Sequence, residues 1–357
     1  MSRSDKSIWS LAIEERDRLE KEREGDKATE TSIIFVGNKN AGKTTIILRF
    51  LEREEPPKPT VALEYTYGRK QARGSSMGKN IAHIWELGGG TSLTKLLDSP
   101  INENTIRTIS LAIVVDLSRP HELFLTLETL LKELRTRVKK TLAHLSTKDA
   151  RVVDKMKKAA WKKYGEDHPD RDLLDLFPIP LVILGTKYDI VQDFDSEKRK
   201  VICKLLRFIA HTNGATLQFC SVKSSALVSR CNGLISSLVF GTSPSRFIQV
   251  DPSKPLLVPA GSDSLGSIGA PLLPSGDISH ISAKNPYELW KQSYTGFFPQ
   301  EMAKPQKLED PSKDPQFKEP AVDAMRAQKN EELERYRRVA ERKAREAARL
   351  KSAGIVT

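Results

Sequence analysis

The segment Gly37-Asn38-Lys39-Asn40-Ala41-Gly42-Lys43-Thr44 is a complete G-x-x-x-x-G-K-T phosphate loop. Its glycines let backbone N–H groups close around a phosphate, the helix that follows adds positive potential, and the Lys43 ammonium reaches the outer phosphates. The Thr44 hydroxyl is placed to ligate Mg²⁺, and Thr45 follows it at the nucleotide. The apolar run Ile33–Val36 precedes the motif and Ile46-Ile47-Leu48 follows it. That strand–loop–helix context is what the motif requires.

A second run addresses the base. Leu181–Leu184 is apolar and leads into Gly185-Thr186-Lys187-Tyr188-Asp189. The T-K-x-D ending resembles the guanine-specificity motif of small GTPases, usually N-K-x-D. A carboxylate at Asp189 can accept two hydrogen bonds, from the N1–H and the exocyclic amine of guanine, and adenine offers no such pair. The Lys187 stem can pack along the base. Thr216–Phe219 then leads into Cys220-Ser221-Val222-Lys223, which resembles the S-A-K loop that backs the base. T-K-x-D alone could be a turn after a strand; in order with the phosphate loop and Ser221-Val222-Lys223, chance is remote.

The switch half departs from the pattern. Pro59-Thr60-Val61 and Glu64-Tyr65-Thr66-Tyr67 resemble the first switch of Ras-like proteins, with Thr60 the candidate to touch Mg²⁺ and the last phosphate. Where those proteins have W-D-x-A-G-Q, this chain has Trp85-Glu86-Leu87-Gly88-Gly89-Gly90. Glu86 adds a methylene where Asp reaches Mg²⁺ through water, and Gly90 stands where Gln orients the attacking water. Cleavage of GTP by such a site is expected to be very slow, and no residue is assigned as catalytic. A slow switch, a permanently occupied site and a vestigial site all fit. An adenine-nucleotide motor is disfavoured by Asp189.

The elements that must hold these residues are legible as apolar runs. Strands are predicted near 32–36, 61–67, 80–85, 109–116, 180–185 and 216–220. Helices are predicted near 43–53, 121–146, 150–164, 196–213 and 224–239, the last but one with Ser196 as its cap. The alternation implies an α/β fold, a mostly parallel sheet with helices on both faces. Leu123, Leu127, Leu130, Leu134, Val138, Leu142 and Leu145 recur at helical spacing, so the insertion 120–178 opens with one long amphipathic helix. His211 reads as a favourable charge on a helix dipole, and His83 as a core-edge residue. The organisation reads as an amphipathic helix in 1–30, a G domain over 31–241, an extension 242–299 packing on the domain or a partner, a linker 300–319, and a charged helical tail 320–357.

Several blocks together carry a family resemblance: GNKNAGKTTIILRF, EPPKPTVALEYTYGR, WELGGGTSL, DLFPIPLVILGTKYDIVQDF, SEKRKVICKLLRFIAH and NPYELWK. They resemble the dynein light intermediate chains, and within them the branch of the second cytoplasmic dynein, which drives retrograde intraflagellar transport. The resemblance covers roughly residues 30–340 of the chain. It implies a Ras-like P-loop GTPase fold with N- and C-terminal extensions, used as a non-catalytic subunit that binds and stabilises the tail of the dynein heavy chain. It further implies other dynein subunits as partners, intraflagellar transport particles as indirect ones, and a place in the cytoplasm and cytoskeleton, at the cilium axoneme and basal body. The phosphate loop matches the consensus fully, so GDP or GTP with Mg²⁺ is kept open as the cofactor, as is an empty site.

Composition narrows the rest. An apolar content of 38% with 29% charge is lean for a wholly globular chain, so part of it is expected to be solvated. No run approaches the ~20 apolar residues of a membrane span, and no secretory leader is evident. Cys203, Cys220 and Cys231 lack C-x-x-C spacing and read as reduced thiols. The net charge of +12 is concentrated between Lys132 and Lys163, with 12 Lys/Arg against 3 Asp/Glu. Without a nucleic-acid-binding motif or stacking aromatics, that patch reads as a solvated helical face or a dock for an acidic protein partner, not a nucleic-acid site.

Overall fold

The computed structural model describes residues 30–71, 79–165, 168–243, 247–274, 285–301 and 318–352. They divide into two units, Met1–Ala303 and Lys304–Thr357. The helix expected in 1–30 and most of the expected linker lie outside the described residues.

The first unit is built on seven strands: β1 (Glu30–Gly37), β2 (Leu63–Gln71), β3 (Lys79–Leu87), β4 (Ile109–Asp116), β5 (Leu181–Thr186), β6 (Ala215–Phe219) and β7 (Leu257–Val258). They form one sheet in the order β2-β3-β1-β4-β5-β6-β7. The five inner strands run parallel, and only the edges β2 and β7 are antiparallel. Strand order reverses between β1 and β4, and the crevice beyond the carboxyl ends of strands at such a switch point is where open α/β sheets bind ligands.

Its helices are α1 (Lys43–Phe50), α2 (Pro120–Lys148), α3 (Ala150–Trp161), α4 (Tyr188–Val191), α5 (Ser196–Asn213), α6 (Ser225–Phe240), α7 (Leu265–Ile268) and α8 (Pro286–Phe297). Alternation along the strands feeds two apolar layers. Ile34 and Val36 of β1 face α2, α5 and α8, while Ile33 and Phe35 face α1 and α6. Burial on both faces explains why the inner strands are apolar almost throughout.

The heptad-like leucines of α2 are buried as a single stripe. Pro120 sits in its first turn, where a missing N–H costs nothing. Asp149 ends α2 and caps α3 by accepting from Val152 N at 3.3 Å. The cap of α5 is Asp195, which accepts from Glu197 N at 3.0 Å, and not Ser196; the carboxylate one residue earlier has the extended backbone that a cap needs.

The C-terminal extension is part of the unit's core. β7 lengthens the sheet against β6. The Arg207 guanidinium of α5 grips the Asp263 carboxylate with two hydrogen bonds of 2.8 and 2.7 Å, both side chains buried. Trp290 of α8 stacks on Phe208 at 4.7 Å and 14°. Tyr294, 1% exposed, donates its hydroxyl to Pro120 O at 2.9 Å. Gln300, which the sequence places in a linker, accepts from Phe124 N and Leu125 N at 3.1 and 3.2 Å and donates to Pro120 O at 3.1 Å. It caps the first turn of α2 from outside.

Among the described residues the second unit holds one helix, α9 (Pro320–Ser352). Val322, Met325, Leu333, Tyr336 and Val339 are all exposed on it. Its surface ion pairs, such as Asp323–Arg326 and Lys329–Glu332, have the i,i+3 spacing that supports a solvated helix.

Candidate functional site

The phosphate loop turns between β1 and α1. Gly37 is required by space: a Cβ there would stand 2.1 Å from Val114 O of β4. Gly42 has φ 93, a left-handed turn that starts α1 at Lys43. Lys43 is 5% exposed, and its ammonium donates to Gly37 O and Asn38 O at 3.1 and 3.0 Å. Among the described residues it makes no ion pair. Burial pushes its pKa down, with Glu86 opposing. A buried ammonium satisfied only by carbonyls is an electrostatic demand for an anion.

The loop is braced on two sides. Thr186, where small GTPases usually have Asn, donates its hydroxyl to Ala41 O at 2.7 Å and lies 3.1 Å from Val115 O. The end of β5 is thereby tied to the loop after β1. On the other side, Asn38 Nδ2 donates to Thr126 Oγ1 at 2.7 Å and Glu122 Oε2 at 3.2 Å, both on α2. Lys39 and Asn40 lie exposed at the tip, Asn40 with φ 62, and Thr45 is half-buried in the first turn of α1.

The switch residues converge on Thr44. Its hydroxyl donates to Glu86 Oε1 at 2.8 Å, and Thr60 Oγ1 lies 3.5 Å away. Burial raises the Glu86 pKa, opposed by Thr44 and Lys43; burial and then Glu86 raise that of Glu64, its cross-strand neighbour. Gly88 N donates to Ala62 O at 2.6 Å, and a Cβ on Gly88 would stand 2.4 Å from Thr60 O. Gly90 has φ 63, and a Cβ there would meet Asn38 Oδ1 at 3.4 Å. The two switch segments thus lie backbone against backbone, and no side chain projects from 90.

The residues expected to meet a base also assemble. Lys187 (φ 57) forms an ion pair with Asp116 at the end of β4. Asp189 accepts from Ser221 Oγ at 2.6 Å and pairs with Lys223 Nζ at 2.7 Å. Lys223 first and Ser221 second hold its carboxyl below the usual range, so it is an acceptor at neutral pH. Val222 is 52% exposed. Tyr188 N donates to Cys220 O at 3.1 Å, which fixes the two loops together.

The motif residues 37–45, 186–189 and 221–223 therefore lie along one rim at the carboxyl ends of β1, β5 and β6, with Thr60 and Glu86 meeting it at Thr44. A guanine nucleotide fits them: a buried cation in the loop and an ionised carboxylate at the base end. Thr44 and Thr60 would hold Mg²⁺, with Glu86 beside them. Sequence reasoning missed Asp116, Asn38's anchor on α2, and the place of Glu64 across from Glu86. The only signal for Asp116 was an acidic residue closing an apolar run.

His211 departs from expectation. It is buried, and its Nε2 lies 2.9 Å from Asp170 Oδ2. Burial pushes its pKa down, with Asp170 opposing. It is no exposed charge on a helix dipole. His168, Asp170 and His211 form a ligand-like cluster, in which His211 Nδ1 is buried without a hydrogen-bond partner among the described residues. Asp170 N donates to His168 Nδ1 at 3.2 Å, and Leu265 N to Asp170 Oδ2 at 2.8 Å. Asp170 thereby ties α5 to the first residue of α7.

Comparison with known proteins places this architecture. Residues 4–175 match the dynein light intermediate chain family. The chain is 51% identical over 336 residues to cytoplasmic dynein 2 light intermediate chain 1 of Bos taurus, spanning 93% of this chain and 95% of that protein. The Homo sapiens protein of the same name is 50% identical with the same coverage. That of Danio rerio is 47% identical over 345 residues, 94% of this chain and 95% of that one. A crystal structure of the conserved domain of a dynein light intermediate chain superposes with a TM-score of 0.50 at 19% identity, over 68% of this chain and 85% of that one; it bears out the Ras-like fold. On the strength of its near full-length relatives, this chain belongs to the dynein light intermediate chain family, in the cytoplasmic dynein 2 branch.

Proposed function

We propose that the chain is a non-catalytic subunit of the cytoplasmic dynein 2 motor that binds and stabilises the heavy-chain tail, in support of retrograde intraflagellar transport and cilium assembly. The near full-length similarity to dynein 2 light intermediate chains carries this reading. The site supports its non-catalytic part. A guanine nucleotide held by residues 37–45, Thr186, Lys187, Asp189 and 221–223 would neutralise Lys43 and knit three strand ends together. With glycine at 90, nothing in the second switch orients a water. Such a nucleotide serves as a structural ligand whose binding adds to the stability of the fold.

Natively purified protein is expected to release GDP or GTP on denaturation, read by mass spectrometry, and to co-purify with the heavy chain through nucleotide exchange. Brisk multiple-turnover GTP cleavage, or no association with the heavy chain, overturns the proposal. A second reading, a slow guanine-nucleotide switch, is favoured by the approach of Thr60 to Thr44. Single-turnover GTP cleavage separates them: a Gly90→Gln variant that restores cleavage supports the damaged switch.

A further inference from the structure

The helical insertion carries a feature that the nucleotide site does not use. Between α2, α3 and the segment 174–178 lies a groove of about 240 Å³. Its floor includes Val138, Leu142, Trp161, Leu174 and Phe177. Lys139 of α2 and Lys157 of α3 stand on its rim, exposed. Arg135, also in its wall, is already satisfied: it pairs with Asp175 at 2.7 Å, donates to Asn213 Oδ1 at 2.6 Å and lies over the Phe177 ring at 4.3 Å. Asp175 is thereby neutralised and leaves no free negative charge in the groove.

The rim lysines are different. Among the described residues, Lys139, Lys140, Lys155, Lys157 and Lys158 make no ion pair, although Arg137 and Lys148 of the same insertion pair with Asp98 and Glu103. Two of these ammonium groups, Lys139 and Lys157, line the apolar trough, and the other three stand exposed on the same two helices, on a surface that carries 12 Lys/Arg against 3 Asp/Glu between 132 and 163. Uncompensated charge of one sign beside apolar side chains is the complement of a segment with the opposite charge and a bulky apolar anchor. A polyphosphate backbone would satisfy the lysines and leave the groove's apolar lining in water, so a protein segment is the better fit.

We infer that this groove docks an acidic segment of another protein of the motor assembly, one that presents a bulky apolar side chain flanked by Asp and Glu. The inference uses membership in the assembly and none of the nucleotide chemistry. Rim charges set encounter and salt dependence, while the apolar anchor sets residence.

The test places a photoreactive benzoylphenylalanine at Lys157 of the full chain. Cells are irradiated intact, the chain is isolated under denaturing conditions, and the adduct is mapped by mass spectrometry. The expected adduct is a protein segment rich in Asp and Glu, and Lys139→Glu with Lys140→Glu should cut its yield about tenfold. The same reversal at Lys198 and Lys200 of α5 should leave it unchanged, and unaltered thermal melting shows that the exposed substitutions keep the fold. No protein adduct, an adduct to nucleic acid, a segment without acidic excess, or a yield indifferent to the reversal each overturns the inference. Heavy-chain co-purification is scored separately, so failure of the groove and failure of the subunit assignment remain distinct.

Discussion

Tyr294 measures how far the C-terminal extension belongs to the scaffold of the candidate site. Its ring sits 6.2 Å from Phe124 and 5.1 Å from Phe298, and its hydroxyl donates to Pro120 O. Tyr294→Ala removes a fully buried ring, a change that costs about 3–5 kcal/mol. For a unit of this size each kcal/mol lowers Tm by ~2–3 °C, so the loss is about 6–15 °C. Tyr294→Phe removes only the hydroxyl. Pro120 O keeps the Gln300 amide at 3.1 Å, so no acceptor is orphaned and the cost is about 0.5–1.5 kcal/mol. Thermal melting and urea unfolding of the full chain read both variants. Limited proteolysis should open the chain after Gly241 in the alanine variant first. A Tyr294→Ala variant melting within about 2 °C of the parent would refute the packing argument. A phenylalanine variant as damaged as the alanine one would show that the hydroxyl, and not the ring, dominates.

Asp189→Asn should weaken GDP binding by about 10²–10⁴-fold, since two hydrogen bonds to a charged acceptor are worth about 1.5–3 kcal/mol each. A fluorescent-GDP titration decides it, and an unchanged affinity would remove Asp189 from the base. Gly88→Ala should cost about 1–3 kcal/mol, because a Cβ meets backbone at Thr60 and cannot be relieved by a rotamer; urea unfolding measures it, and a neutral result would mean the two switch segments separate freely. His211 gives a pH dependence. Its folded pKa lies below the ordinary 6.5, so the unfolded chain takes up the proton first as pH falls. Its contribution is full above about 6.5 and is lost as pH falls toward the folded pKa, with a slope of at most about 1.4 kcal/mol per pH unit. His211→Gln should flatten stability against pH over that range, and an unchanged slope would acquit His211.

What sequence made legible was local. Spacing within 37–44, 186–189 and 221–223 is set by backbone geometry that nearby residues dictate, and the leucines of α2 declare their own buried face. What stayed hidden depends on pairing across the fold. Asn38 meets Thr126 across 88 positions, and Lys187 meets Asp116 across 71. No periodicity encodes either contact. β7 is two residues long, too short to show alternation, and exists because β6 offers it an edge. His211 was misread because a helix dipole is a local effect, whereas Asp170 and the burial that overrides it come from a distant loop.

The closure of α2 by Gln300 has a consequence for synthesis. About 60 residues separate Gly241 from that side chain, or roughly 3–12 s at a translation rate of 5–20 residues per second. Until they emerge, Phe124 and Phe208 lack the aromatic cover of α8, and the helix that anchors Asn38 lacks its outer cap. The newborn domain passes through a defined interval with a greasy flank bare, a window in which a chaperone or an assembling partner has something to hold.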